Sequence, residues 1–138
     1  MKEPLLLDTC AALRILGNEK IRKEAEDAIN ATLVSGEAIR VSPITAWEVG
    51  MLAAKGRFKS IYAPQKWFER LLGVPGVQLA EMPAEMLLQS SFLPGELHWD
   101  PADRIIAATA REFGLRVVTS DRALLAYGMA GHMLTLAC

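Results

Sequence analysis

The stretch from Asp100 to Ala110 constrains the fold of this chain more than any other. It begins with two aspartates three positions apart and continues as a segment of small and apolar residues. Asp100 followed by Pro101 is typical of a helix start, because Asp is favoured at the N-cap and Pro at the first helical position. From Ile105 onward few positions could face water, and a helix that is apolar nearly all round is buried. The rest of the chain must therefore fold around this helix. The aspartates at its start cannot lie in the hydrophobic core, so they must face solvent or a functional site.

The overall composition limits the class of protein. The chain has 138 residues, of which 51% are hydrophobic and 22% are charged, and this predicts one globular domain over residues 1–138. The longest apolar runs are far below the ~18 residues of a membrane span, and two cysteines make no disulfide framework. The net charge of -1 argues against tight, non-specific binding of nucleic acid by the whole surface. We expect a cytoplasmic protein that does not associate with a membrane.

Short apolar segments alternate with helical segments along the chain. The segments predicted as strands are 4–7, 38–41, 77–80, 115–119 and 132–136. The segments predicted as helices are 9–16, 19–34, 43–55, 65–72, 83–92, 101–113 and 121–127. This alternation is typical of a parallel sheet covered on both faces, so we predict an α/β fold, a three-layer α/β/α sandwich with a central parallel sheet of four to five short strands. In such sheets the functional crevice lies beyond the carboxyl ends of the strands.

Carboxylates occur at the predicted places where that crevice would form. Asp8 ends the first strand, Asp121 follows the fourth, and Asp100 and Asp103 begin the helix that leads into the fourth. Glu48 lies inside the helix after the second strand. The topology can bring all of these side chains to one edge of the sheet. Taken singly, the aspartates at helix starts are also explained as N-caps, and that interpretation stays open.

Glu48 differs from the aspartates because it lies more than one turn into its predicted helix and caps nothing. Its apolar neighbours predict a largely buried element: Trp47, Val49, Met51 and Leu52. A buried carboxylate needs a partner, a proton or a metal ion. Lys55 and Arg57 are the basic residues nearby in sequence that could serve as the partner.

Several carboxylates brought together repel one another and hold protons unless a cation joins them. Carboxylate oxygens without histidine or thiol suit Mg²⁺ or Mn²⁺, and such a site commonly activates water for attack on a phosphodiester. Three threonines, Thr9, Thr45 and Thr119, lie near the carboxylates in sequence. We expect them either to support the site or to bond the backbone as caps.

Three residues around the start of the central helix have alternative interpretations. Arg104 could contact RNA, but an ion pair with Asp100 or Glu96 is the preferred interpretation. Trp99 could stack on a nucleobase, but core packing is preferred. His98 is interpreted as a surface or capping residue rather than a catalytic base.

Four segments together resemble the PIN-domain ribonucleases, and most closely the VapC-type toxins of bacterial toxin–antitoxin pairs. They are Leu-Leu-Leu-Asp8-Thr9, Ser42-Pro-Ile-Thr45-Ala-Trp-Glu48-Val, Asp100-Pro-Ala-Asp103-Arg-Ile-Ile-Ala-Ala-Thr-Ala and Val-Val-Thr119-Ser-Asp121-Arg. The resemblance covers essentially the whole chain, in order and in spacing. Each motif is weak alone, whereas the four together are specific.

The resemblance implies a PIN-like fold and an endoribonuclease that depends on Mg²⁺ or Mn²⁺ and cleaves RNA, often tRNA or rRNA. It also implies a homodimer that is inhibited by a small VapB-like antitoxin. By motif, the residues that bind the metal and act in catalysis are Asp8, Glu48, Asp103 and Asp121. Residues that could support them are Thr9, Thr45, Asp100 and Thr119.

A different class of function stays open beside the nuclease. The chain could be a catalytically weak PIN-like module that binds RNA or protein and uses its acidic cluster to dock an arginine. A phosphoryl-transfer enzyme is disfavoured, because Asp8-Thr9-Cys10 lacks the second carboxylate of an Asp-x-Asp pair. A nucleotide-binding module is also disfavoured, because no glycine-rich loop follows the first strand.

Overall fold

A computed structural model describes residues 4–138, and these form five strands and seven helices. The strands are β1 Leu5–Leu7, β2 Ile39–Val41, β3 Val77–Leu79, β4 Arg116–Thr119 and β5 Leu134–Ala137. The helices are α1 Thr9–Leu16, α2 Lys23–Ser35, α3 Pro43–Ala54, α4 Pro64–Leu72, α5 Ala84–Gln89, α6 Pro101–Phe113 and α7 Arg122–Met129. Within this part of the chain no helix is long and apolar enough to cross a membrane.

The five strands form one parallel sheet in the order β3-β2-β1-β4-β5. The central strand β1 is fully buried, and because side chains alternate along a strand its leucines serve two different layers. Leu5 and Leu7 pack with residues of α1, α2 and α4, whereas Leu6 packs with α6 and α7. The predicted three-layer α/β/α sandwich is confirmed.

Helix α6 is buried along most of its length, as its sequence predicts. Its buried residues are Ala102, Arg104, Ile106, Ala107, Ala108, Thr109 and Ala110. Small side chains allow the helix to approach the sheet closely beside Leu6 and Val117. Gly114 ends the helix in the left-handed conformation, with φ of 65°. The close packing of α6 fixes where its acidic N-terminus lies relative to the strand ends.

Two predicted helix boundaries are wrong. Helix α2 begins at Lys23 rather than at residue 19, because Asn18 has a φ of 55° and turns the chain at the end of α1. Ile21, expected on an apolar helical face, packs against the core from the extended segment before α2. Helix α5 ends at Gln89, and the predicted continuation to residue 92 is a series of turns that leaves Phe92 exposed.

The last helix is predicted to end at residue 127, before Gly128, but Gly128 lies inside α7, which continues to Met129. A Cβ atom at this position would lie 2.5 Å from Thr135 Cγ2, 3.0 Å from Thr135 Cβ and closer still to Thr135 Oγ1. Glycine is therefore required for the close approach of α7 to β5 rather than as a helix stop.

We predict that Gly128→Ala lowers the free energy of unfolding by about 1–3 kcal/mol, since Thr135 is short and branched and no rotation moves all three of its close atoms away. Gly50→Ala is the matched control, because Gly50 lies in α3 and a Cβ there meets nothing within 4 Å. The control should stabilise the protein by up to about 1 kcal/mol, as expected for an exposed helical position. Chemical denaturation of both variants tests this, and equal stabilities would contradict it.

Candidate active site

Asp8 lies directly after β1 and is 5% exposed. Its Oδ1 accepts a hydrogen bond of 2.8 Å from the backbone N–H of Ala11 and so caps α1. Its Oδ2 accepts a short hydrogen bond from the hydroxyl of Thr119. Burial raises the pKa of the Asp8 carboxyl, and the charge of Asp121 raises it further, while these two hydrogen bonds oppose the shift.

Thr119 joins the ends of two neighbouring strands. It is fully buried at the end of β4, where its hydroxyl donates to Asp8 and accepts a 2.9 Å hydrogen bond from the N–H of Asp121. Asp121 in turn caps α7, because its Oδ1 accepts from the N–H of Leu124 at 3.0 Å. The capping interpretation is therefore correct for Asp8 and Asp121, and the same contacts hold both carboxylates beside each other.

Glu48 is held by a hydroxyl group rather than by a cation. Its Oε1 accepts a short hydrogen bond from Thr9 Oγ1, which lies 3.0 Å from the hydroxyl of the fully buried Thr45. Within residues 4–138 Glu48 forms no ion pair with Lys55 or Arg57. Burial raises the pKa of Glu48, and the charges of neighbouring aspartates add to the increase while the Thr9 hydrogen bond opposes it.

The prediction that Glu48 lies on a largely buried element is wrong for its neighbours. Trp47 is 49% exposed and Met51 is 36% exposed, although Val49 is buried. Helix α3 turns its small and branched residues inward, namely Ile44, Thr45 and Val49. Its larger apolar side chains therefore lie beside the acidic site at the surface.

Asp103 lies in the first turn of α6, where its side chain is 20% exposed. Burial raises its pKa to about 7, and the charges of Asp121, Asp100 and Glu48 raise it while His98 opposes the shift. Asp100 is exposed and caps α6, because its Oδ1 accepts from the N–H of Asp103 at 3.1 Å. The interpretation of Asp100 as the N-cap is confirmed.

His98 is a member of the site that the sequence analysis missed. Its Nε2 lies 3.2 Å from Oδ2 of Asp103, and one ligand atom each from His98, Asp103 and Asp121 lie within 4.8 Å of one another. The available signal was its position, two residues before the N-cap of the helix that carries Asp103. The imidazole therefore lies beside the carboxylates and not apart from them.

The ion pair expected for Arg104 and the core packing expected for Trp99 are wrong. Arg104 is 7% exposed, and its guanidinium donates to the carbonyls of Ser90 at 2.8 Å and Leu97 at 2.6 Å. Trp99 is 72% exposed, and its ring centroid lies 4.0 Å from the Arg104 guanidinium carbon. Arg104 therefore holds the loop before α6 in place through hydrogen bonds, and the ring of Trp99 lies against its guanidinium group. This role depends on where the loop passes, which helical periodicity does not predict.

The carboxylates form one electrostatic group at the carboxyl edge of the sheet. Asp8 and Glu48 are not part of the group of ligand atoms from His98, Asp103 and Asp121 that lie within 4.8 Å of one another. The charge of Asp121 nevertheless acts on Asp8, and the charge of Glu48 acts on Asp103. Carboxylate oxygens are the donors that Mg²⁺ and Mn²⁺ prefer, and burial together with neighbouring negative charge raises the pKa values of Asp8, Glu48 and Asp103. The chemistry of this donor set fits a divalent cation of that kind.

A cavity of about 300 Å³ lies beside the acidic group. Glu48 and Asp100 form part of its wall, and Lys55 and Arg57 contribute positive charge. The apolar part of the wall consists of Trp47, Met51, Leu52, Pro101 and Ala102. The cavity thus combines acid, base and an exposed aromatic ring within one concave surface.

Comparison with known proteins supports the fold and shows the family. A family model described as PIN domain matches residues 5–128. Ribonuclease VapC22 of Mycobacterium tuberculosis is 33% identical over 100 residues, which are 70% of this chain and 73% of that protein.

Two solved structures share the fold. DNA-bound VapBC from Salmonella typhimurium matches with a TM-score of 0.67 and 19% identity, covering 98% of each chain. VapBC2 from Rickettsia felis, bound to a DNA fragment from its promoter, matches with a TM-score of 0.65 and 15% identity, covering 96% of this chain and 97% of that one.

We predict that Asp8→Ala and Asp8→Asn have different effects on stability. Alanine removes the cap of α1 and the acceptor of Thr119, and this should lower the free energy of unfolding by about 1–3 kcal/mol. Asparagine keeps the Oδ1 cap, its Nδ2 can donate to Thr119 Oγ1 in place of the lost acceptor, and it removes a repelling charge, so its stability should equal or exceed that of the wild type. Thermal denaturation without divalent cations measures both, and a strongly destabilised Asp8→Asn would contradict the repulsion.

We also predict that metal-free protein loses stability between pH 5 and pH 7.5. A folded-state pKa raised to about 7 means that the contribution of Asp103 is complete below the ordinary value of 3.8 and is lost as pH rises through 7. The loss should be about 1–3 kcal/mol. Asp103→Asn should reduce this dependence, and an unchanged pH profile in that variant would show that Asp103 is not its source.

Proposed function

We propose that this chain, which belongs to the PIN domain family, is an endoribonuclease toxin that hydrolyses RNA phosphodiester bonds with a divalent metal ion. The observation that supports this best is the convergence of Asp8, Glu48, Asp103 and Asp121, where burial, with the charges of neighbouring carboxylates, raises the pKa values of Asp8, Glu48 and Asp103. The 33% sequence identity to a protein named as a ribonuclease supports the reaction class.

The residues that would hold the metal are Asp8, Glu48, Asp103 and Asp121. Mg²⁺ or Mn²⁺ supplies Lewis acidity toward a phosphodiester and lowers the pKa of water. Asp103 would give up the proton that burial and neighbouring negative charge keep on it part of the time at neutral pH, because a bound cation stabilises the ionised carboxylate.

Three threonines would keep the carboxylates oriented for this role. Thr119 bonds one oxygen of Asp8 and the backbone of Asp121, and thus sets the spacing of these two groups. Thr9 bonds Glu48 and contacts Thr45, which ties α3 to α1. Each hydroxyl leaves other carboxylate lone pairs unoccupied, so that the acids stay oriented without being neutralised.

The RNA backbone would lie along the cavity beside Glu48. Lys55 and Arg57 line this cavity and would contact phosphates, while the exposed Trp47 offers a face for a nucleobase. The net charge of the chain is -1, so attraction of RNA depends on such local positive charge rather than on the whole surface.

A VapB-like antitoxin and a second copy of the chain are the proposed protein partners. Similar solved structures are VapBC complexes, and this supports the assignment of the antitoxin. A groove of about 510 Å³ could receive apolar side chains of such a partner; it is lined in part by Leu13, Leu16, Phe58, Ile61 and Trp67. The proposed place of action is the cytoplasm, where the RNA substrates occur.

The experiment that tests the function is cleavage of total tRNA and rRNA by the purified chain, separated from any antitoxin. Reactions contain Mg²⁺, Mn²⁺ or EDTA, and Asp103→Asn is run beside the wild type. We expect discrete fragments that require metal and disappear in the variant. Cleavage that persists in EDTA or in Asp103→Asn would overturn the proposal, as would intact RNA with folded protein under every metal.

We predict that Lys55→Ala and Arg57→Ala raise KM for RNA several-fold and change kcat little, since these side chains would contact phosphates away from the reacting bond. The slope of the logarithm of the RNA-binding constant against the logarithm of the salt concentration should become shallower by about one for each lost phosphate contact. Lys23→Ala is a control on α2, where Lys23 is exposed and pairs with Asp27. If Lys23→Ala weakened RNA binding as much as Lys55→Ala and Arg57→Ala do, the proposed path of the RNA would be contradicted.

A further inference from the structure

His98 is held between two groups at the start of α6. The backbone N–H of Asp100 donates to its Nδ1 at 3.2 Å, and its Nε2 lies 3.2 Å from Oδ2 of Asp103. Both contacts come from one turn of chain, so the orientation of the ring is fixed by the capped helix start.

The first contact determines which nitrogen carries the proton. Nδ1 accepts a hydrogen bond from Asp100, so its lone pair points at the backbone and the neutral ring carries its hydrogen on Nε2. An Nε2–H group lies 3.2 Å from Oδ2 of Asp103 and has no lone pair for a metal ion. Proximity to Asp103 and Asp121 would otherwise suggest a metal ligand, and the backbone contact argues against that role.

We propose that His98 is a positioning residue: its Nε2–H occupies Oδ2 of Asp103 and leaves Oδ1 to a divalent cation. The inference rests on the proposed function, because it takes Asp103 as a metal ligand. Within residues 4–138, His98 is the residue whose side chain contacts the Asp103 carboxylate at hydrogen-bonding distance.

This arrangement has a consequence for the choice of cation. A carboxylate with one oxygen occupied binds a metal through the other oxygen alone. Mg²⁺ is small and takes single oxygens in octahedral geometry, whereas Ca²⁺ readily takes both oxygens of a carboxylate. His98 therefore favours Mg²⁺ or Mn²⁺ over Ca²⁺ at Asp103.

The matched variants are His98→Gln and His98→Ala. The glutamine side chain can place an N–H near the position of the imidazole Nε2, whereas alanine cannot. We expect His98→Ala to lose about 10–100-fold in Mn²⁺ affinity, as is typical when a partner of a ligand is removed, and to narrow the preference for Mn²⁺ over Ca²⁺. His98→Gln should recover most of both properties. Calorimetric titration with each cation measures this, and equal affinities for wild type and His98→Ala would overturn the proposal.

Nuclear magnetic resonance of ¹⁵N-labelled protein tests the tautomer directly, without RNA. The sequence contains two histidines, His98 and His132, so the spectrum of His98→Gln identifies the resonances of His98. We expect the Nε2–H tautomer without metal and again after addition of Mg²⁺. An Nδ1–H tautomer in either state would make Nε2 available as a ligand and would overturn the proposal.

The two proposals fail in different ways. A protein that shows the expected tautomer and cation preference but cleaves no RNA contradicts the nuclease alone. A metal-dependent nuclease whose His98 carries its proton on Nδ1 contradicts the role of His98 alone.

Discussion

The burial of several like charges beside one another is the constraint on which this molecule depends. The parallel sheet brings Asp8 and Asp121 together at the ends of β1 and β4, and buried α6 adds Asp103 at the same edge. Nothing within residues 4–138 neutralises this group by an ion pair with lysine or arginine. Burial raises the pKa of Asp103 to about 7, and the charges of the neighbouring carboxylates add to the shift, so the site can exchange a proton for a cation near neutral pH.

The surrounding structure holds the charges in place instead of separating them. Hydroxyl groups of Thr9 and Thr119 donate to Glu48 and Asp8, and backbone N–H groups at helix starts bind the aspartates. These hydrogen bonds favour the ionised carboxylates, while burial and crowding favour the protonated ones. The balance of the two effects gives acids that are oriented but readily exchange a proton for a metal ion. Packing supplies the rest, because the small residues of α6 let its acidic end approach the strand ends.

The general architecture could be predicted from sequence because it depends on local patterns. Alternating apolar strands and helices predicted the parallel sandwich, and the Asp-Pro start with its apolar continuation predicted buried α6. The partners of individual side chains depend on distant segments and could not be predicted. Arg104 binds carbonyls of a loop that has no periodic pattern, and the face that α3 leaves at the surface depends on its packing against α1, α4 and α6. The role of His98 could not be predicted, because a single histidine before a helix start is common in proteins and carries no specific signal. The contact between its ring and Asp103 depends on the three-dimensional fold.

The proposed function depends on the replacement of a proton by a cation at the buried carboxylates. Calorimetry of Mn²⁺ binding at pH 7, in buffers with different enthalpies of ionisation, counts the protons released. A carboxyl group with a pKa of about 7 is half protonated at that pH, so Asp103 should release on the order of half a proton on binding. Asp103→Asn should release correspondingly less. Mn²⁺ binding without proton release in the wild type, or equal release in Asp103→Asn, would contradict this exchange of a proton for a cation.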